Sequence, residues 1–211
     1  SRFWERHLDG LEPLQFPFAR SALRGSGKGD RVNWVMPPAL YSELQRWRVE
    51  RGCTSFMVLM GCFQVLLYKV CNQTDITVTS VHGNRYTNTE PLVGYFMNQL
   101  LYRSQIDPTW TLEQFILEFK RLCLQVHEHS AYPLQRIMQF VRQQTSGNIQ
   151  QASFTEVPSQ LTDNLRLGDV MFEDYDLRDK ASAEGGLTLY FSDGETVGYF
   201  TLEYDVAEFE H

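Results

Sequence analysis

Between residues 56 and 67 nearly every side chain is apolar: Phe56, Met57, Val58, Leu59, Met60, Cys62, Phe63, Val65, Leu66 and Leu67 leave no polar stripe. A helix of this kind cannot lie on a surface, because burying one side leaves apolar area in water on the other. It must run through the middle of a core. Thr54 or Ser55 offers an N-cap, and the helix is expected to extend to about Val70. The run falls short of the ~20 residues that cross a bilayer, as does every other apolar run in the chain, so no membrane span is expected.

The flanking sequence supplies material to cover such a helix. Pro37-Pro38 opens a helix with Leu40, Leu44 and Trp47 at spacings of four and three, stopped by Gly52. Thr111 and Gln114 form a capping box before a long amphipathic helix carrying Leu112, Phe115, Ile116, Phe119, Leu122, Cys123 and Val126. Pro133 sits at the first turn of a further helix with Leu134, Ile137, Met138 and Val141. Residues 75–82 (DITVTSVH) read as a strand with Ile76 and Val78 on one face and threonines on the other. Residues 32–36, 97–106, 152–157, 169–175, 187–191 and 197–204 are further strands, and Asp193-Gly194 signals a hairpin between the last two. Residues 24–30 (RGSGKGD) read as a loop. Helices and strands in this order predict an α/β fold, a two-layer sandwich of a mixed β-sheet with helices on one face. No repeat and no clean linker between modules are visible.

Composition narrows the chemistry. A net charge of -7 over 211 residues argues against binding a phosphate backbone, which needs a basic face, so no nucleic-acid partner is expected. Cys53, Cys62, Cys71 and Cys123 show no metal-ligand spacing and read as free thiols, pointing to the cytoplasm. No Gly-rich phosphate cradle, Ser-His-Asp arrangement or metal-ligand cluster occurs. His127 and His129, two apart at a helix end, point in different directions and read as helix-terminal cations. The opening SRFWERHLDG has neither an initiator methionine nor a signal-peptide layout, so a piece of a longer protein is expected.

Residues 92–103, LVGYFMNQLLYR, closely resemble the (I/V)GxFVNxxxxR motif in the C-terminal half of nonribosomal peptide synthetase condensation domains. Val93, Gly94, Phe96, Asn98 and Arg103 fall on its fixed positions. Six other segments are similar in collinear order. Phe3-Trp4, Leu8 and Gly10 match YWxxxLxG, and Phe16-Pro17 with Arg20 follows like LPTDRPR. Residues 54–59 look like the TLFMVLL helix, and residues 75–85 resemble DIVVGTPIANR. His129 and Pro133 occupy the ends of (H/N)QDxP, and YFTLEYDVAEF is similar to the closing strand. The family's HHxxxDG signature occurs nowhere here; His7-Leu8-Asp9-Gly10 lacks the first histidine and the spacer, and His7 reads as a surface linker residue.

The resemblance implies the C-terminal lobe of a condensation domain, a chloramphenicol-acetyltransferase-like (CoA-dependent acyltransferase) half-domain, with residues 1–30 as inter-lobe linker and 31–211 as the lobe. It implies amide formation between a donor acyl or peptidyl thioester and an acceptor amine. Phosphopantetheine is delivered on donor and acceptor carrier proteins rather than bound as a cofactor, and an N-terminal lobe is a further partner. Without HHxxxDG the chain carries no catalytic residue and no metal site, and is expected to be silent alone. Asn98, Gly94, Tyr95, Phe96, His82, Asn84 and Arg85 are implied to line the substrate tunnel or lobe interface. Asn98 can instead satisfy neighbouring backbone, His82 can be a plain strand-end residue, and Arg85 can hold its loop rather than meet a phosphate. Gln99 in place of the motif's threonine, and HSAYPLQ in place of its counterpart, leave open a heterocyclisation or epimerisation relative, or a non-catalytic docking lobe.

Overall fold

The computed structural model describes residues 1–18, 27–87, 89–157, 166–167, 169–171, 186–194 and 196–209. The chain forms two compact units from interleaved segments: Ser1–Ala19 with Gln45–Phe154, and Arg20–Leu44 with Thr155–His211.

The chain opens with α1 (Arg2–His7), β1 (Gly29–Val35) and α2 (Pro38–Glu50), and the apolar run then forms α3 (Ser55–Cys71) in the first unit. Thr54 is the N-cap of α3, accepting from the Met57 N–H, and Asn72 ends the helix in the left-handed conformation at φ 51°. Met57, Val58, Leu59, Met60, Phe63 and Leu67 are buried, while Leu66 is exposed, so burial is nearly all-round. Gln64 is fully buried too; its amide donates to the Tyr102 carbonyl at 2.8 Å, which satisfies a polar group that burial would otherwise penalise.

Strands β2 (Asp75–His82) and β3 (Asn98–Gln105) pair antiparallel, from Asp75 opposite Gln105 to His82 opposite Asn98. Helix α4 (Leu112–Glu128) begins with both hydrogen bonds of the Thr111/Gln114 capping box. Its buried stripe is Phe115, Ile116, Phe119, Cys123 and Val126, whereas Leu112 is exposed and Leu122 half-buried. α4 packs so tightly on α3 that a Cβ at Gly61 would stand 2.4 Å from Ile116 Cδ1. Helix α5 (Leu134–Val141) follows Pro133, and β4 (Ala152–Val157) joins β2 in parallel at Thr79 and Ser153. Parallel and antiparallel neighbours around β2 make the sheet mixed. β2 is buried on both faces, and Thr79 Oγ1 reaches Ser153 Oγ at 2.7 Å.

In the second unit, β5 (Arg166–Leu167) and β6 (Val170–Met171) form a two-stranded antiparallel pair. β7 (Leu187–Asp193) and β8 (Gly198–Asp205) form the expected hairpin, closed by Asp193 opposite Gly198, and β1 pairs antiparallel along β8. In the first unit the strand order is β4-β2-β3, and in the second it is β1-β8-β7. β1 starts earlier than expected, at Gly29, so two residues read as loop belong to a strand. The strand expected over 169–175 is seen as β6, and 172–175 lie outside the described residues. The apolar face read for α2 is offset by one position. Tyr41 is buried, its hydroxyl bonded to the Asp193 carboxylate and the Gly194 carbonyl, while Leu40 is exposed. A phenol with a polar anchor outcompetes a leucine for this slot.

Candidate functional site

The motif that spans the start of β3 places its two polar residues at opposite ends of the strand. At one end, all five N–H groups of the Arg103 guanidinium are engaged. Nε and Nη2 meet the two oxygens of Asp75 at 2.8 and 2.6 Å, and the rest reach the carbonyls of His7, Asp9 and Gly10 at 3.1, 2.6 and 3.2 Å. The planar fork suits this arrangement as an ammonium would not. Arg103 thereby ties the N-terminal segment to the sheet. His7, read from the sequence as a surface residue, is instead half-buried, and its Nε2 accepts from the Arg103 backbone N–H at 3.4 Å. Desolvation lowers its pKa to about 4, and its acceptor role depends on the neutral form. Nearby, Trp4 is 1% exposed and donates through Nε1 to the His129 carbonyl.

At the other end stands Asn98. Its amide donates to the carbonyls of Ser130 at 2.7 Å and Tyr132 at 2.9 Å, and its oxygen accepts from Leu134 N–H at 3.2 Å. The side chain is thus a clip between β3 and the α4–α5 connection, with both its donors consumed by backbone.

Between β2 and β3 runs the loop that holds Asn84, Arg85, Gly94, Tyr95 and Phe96. Arg85 is its staple: Nη1 donates to the carbonyls of Thr89 and Leu92, Nη2 to that of Gly94, and the guanidinium lies 4.6 Å above the Phe96 ring. Asn84 turns the chain at φ 50°, a conformation asparagine tolerates, and accepts from the Tyr86 hydroxyl at 3.1 Å. Arg85 thus braces the loop, and several of its apolar side chains face out. Tyr95 is 82% exposed and Val93 fully so, with Val81, Leu92 and Met97 about half exposed.

His82 closes β2 opposite Asn98 and stacks on His127, ring centroids 5.0 Å apart. His127 Nε2 lies 2.9 Å from the Tyr102 hydroxyl. Burial lowers the pKa of both imidazoles, the neighbouring His82 adding to the effect on His127, and raises that of Tyr102 far above the usual phenol range. The sequence reading of His127 as a helix-terminal cation is therefore corrected: it is half-buried, and burial disfavours its charged form. The signal was available, since His127 follows Phe119 and Cys123 at steps of four on the buried stripe. The sequence reading also missed Tyr102 and Ser130, the latter buried with its hydroxyl 3.1 Å from that of Tyr86. Among the described residues no group of three or more His, Cys, Asp or Glu could hold a metal ion, and no single helix is long and apolar enough to cross a membrane.

A mixed sheet with helices, in this order, is the fold of solved condensation domains, which is chloramphenicol-acetyltransferase-like. The structure is similar to the X-domain from teicoplanin biosynthesis, with TM-score 0.81 and 16% identity, covering 100% of this chain and 49% of that one. It is also similar to the condensation domain from Monacolin K polyketide synthase, with TM-score 0.79 and 16% identity, covering 99% of this chain and 52% of that one. The Condensation domain family model matches residues 1–182, and the chain belongs to that family as a piece the size of a C-terminal lobe. Among curated proteins, a plipastatin synthase of Bacillus subtilis (strain 168) is 28% identical over 215 residues, 99% of this chain and 6% of that protein. Tyrocidine synthase 2 of Brevibacillus parabrevis is 34% identical over 142 residues, 65% of this chain and 4% of that protein. The chain thus spans a small fraction of its curated relatives and about half of the solved domains.

Proposed function

We propose that the chain is the C-terminal lobe of a condensation domain that joins a donor acyl or peptidyl thioester to an acceptor amine, both carried on phosphopantetheine arms of carrier proteins. The observation that carries this reading is the family match over residues 1–182 together with the build of the 83–97 loop. Arg85 is spent on holding its shape, and Leu92, Val93, Tyr95 and Met97 are exposed. Exposed apolar side chains grouped in one loop suit a surface made to be covered, and its cover is the N-terminal lobe bearing the histidine signature. Residues 1–30 lead in from that lobe, their first part held by Arg103, and 31–211 build this one. His82, Asn84, Arg85, Gly94, Tyr95, Phe96 and Asn98 then form one wall of the tunnel, Asn98 and Arg85 by shaping it. Amide formation needs positioning above all, which supplies on the order of 7–11 kcal/mol in well-oriented cases. Free thiols at Cys53, Cys62, Cys71 and Cys123 suit a reducing cytoplasm.

The test is reconstitution. This chain, mixed with loaded carriers, should give no product; adding a separately made upstream lobe with an intact histidine signature should restore condensation. Turnover by the chain alone, lost in His82→Ala, would overturn the half-enzyme reading. Carrier binding without product in the reconstituted pair would support a docking lobe instead.

A further inference from the structure

We propose that one face of the β1-β8-β7 sheet carries a binding site for a small monocarboxylate, with Arg31 as the residue that recognises its charge. The site lies wholly within the second unit and stands independently of the condensation function.

The antiparallel register sorts these strands into two faces. Arg31 stands opposite Glu203, Tyr190 opposite Thr201 and Ser192 opposite Tyr199, so the six share one face. The other face is apolar: Trp34 stacks on Phe200 at 5.2 Å, and Phe191 lies 5.0 Å from Phe200. On the polar face the six residues line a cup of about 320 Å³. That volume falls at the small end of the range that holds organic ligands, roughly 300–1,000 Å³.

Arg31 is the unusual member of the cup. Opposite charges directly across a strand pair commonly form an ion pair, yet none joins Arg31 to Glu203. Among the described residues no hydrogen bond or ion pair engages the Arg31 side chain at all, and its Nε is buried without a partner. Thr201 is committed to Asn33, its hydroxyl donating at 2.7 Å, whereas the hydroxyls of Ser192 and Tyr199 have no partner among the described residues. A buried donor left unmade is destabilising and rare in folded proteins, and it marks a place where a group arrives from outside. Arg103, every donor of which is met by its own chain, shows the alternative.

The charges of the cup select the ligand. Its lining holds one cation, Arg31, and one carboxylate, Glu203. A phosphate dianion would bring a second negative charge against Glu203 with no second cation to meet it. A carboxylate is a planar monoanion, and its two oxygens match the fork formed by Nε and a neighbouring Nη of a guanidinium. The hydroxyls of Ser192 and Tyr199 offer further donors at the same cup, and the rings of Tyr190 and Tyr199 offer apolar area for the body of the ligand. The class is therefore a compact carboxylic acid with an aromatic or aliphatic body.

The experiment titrates the full condensation domain with benzoate, benzamide and inorganic phosphate by calorimetry and follows melting temperature alongside. Benzoate should bind and raise the melting temperature. Benzamide, the same shape without the charge, should bind about ten-fold more weakly or worse, the worth of a charge-assisted pair. Phosphate should bind less well than benzoate. Arg31→Gln should abolish the preference for benzoate over benzamide and leave the melting temperature of the unliganded domain unchanged or higher, because no contact within the fold is lost. Arg31→Lys, which keeps the charge and loses the fork, should bind benzoate with an affinity between those of wild type and Arg31→Gln. Absence of benzoate binding, equal binding of benzoate and benzamide, or benzoate binding that survives Arg31→Gln would each overturn the proposal. Tighter binding of phosphate would overturn the carboxylate class, and an Arg31→Gln domain that melts far below wild type would show that Arg31 serves the fold instead.

Discussion

The two ends of the β2–β3 pair use the same motif for opposite purposes. At the Arg103 end every donor of the guanidinium has a partner, and the side chain is only 10% exposed. At the His82 end Asn98 and Arg85 hold the backbone, and the loop turns Val93 and Tyr95 outward. The first end has no capacity left with which to meet another molecule. The second leaves apolar side chains exposed, as the proposed cover by an upstream lobe requires. A polar residue on a motif position is thus not in itself a chemical one; what it has left to offer decides its role.

Substitution should separate the ends. Arg103→Ala strands Asp75 and three carbonyls, and is expected to cost about 3–5 kcal/mol by denaturant unfolding. Arg103→Lys should recover only part of this, and a lysine variant as stable as wild type would break the contrast. Acid should loosen the same end. His7 takes a proton at about pH 4 in the fold, against 6.5 in an unfolded chain. Stability is therefore complete above 6.5 and falls as pH drops through the window to about 4, by at most about 3 kcal/mol from this residue. His82 and His127, both lowered, act in the same direction, and His7→Phe should flatten the dependence measured by thermal melts at a series of pH values. Asn98→Ala is expected to lose about 2–3 kcal/mol, since three backbone groups lose their partner. A large drop in condensation rate with unchanged stability would return Asn98 to the reacting groups. At the open end, Tyr95→Ser should shift stability by under about 0.5 kcal/mol while weakening association with the upstream lobe, read by calorimetric titration.

Where a signal is local, the sequence carried it. The capping box of α4, the threonine cap of α3 and the bounds of β2 and β4 all appear as expected, because each depends on residues within one or two turns or strand steps. The errors have distant causes. The buried face of α2 is set by Tyr41 reaching a hairpin some 150 positions away, which no helical periodicity contains. His7 looked like a surface residue because its cover is β3, far along the chain. The division into two units was hidden for the same reason, each being assembled from separated segments. In the site, the motif marked Asn98 and Arg103, but only their partners distinguish clip from clamp. His127 was misread because a helix end suggested a charge, while burial beside Tyr102 disfavours one.

The Arg103 clamp also has a consequence in time. Trp4 and Leu8 are buried in the finished unit, yet the guanidinium that fastens their segment lies 96 positions after His7. At a synthesis rate of about 5–20 residues per second, the N-terminal helix waits on the order of ten seconds for its anchor to be made. Throughout that interval a tryptophan and a leucine meant for the interior are presented to the cell. The lead-in to this lobe is therefore a natural client for a ribosome-associated chaperone, and a pulse of heat during translation should harm the chain more than the same pulse after release.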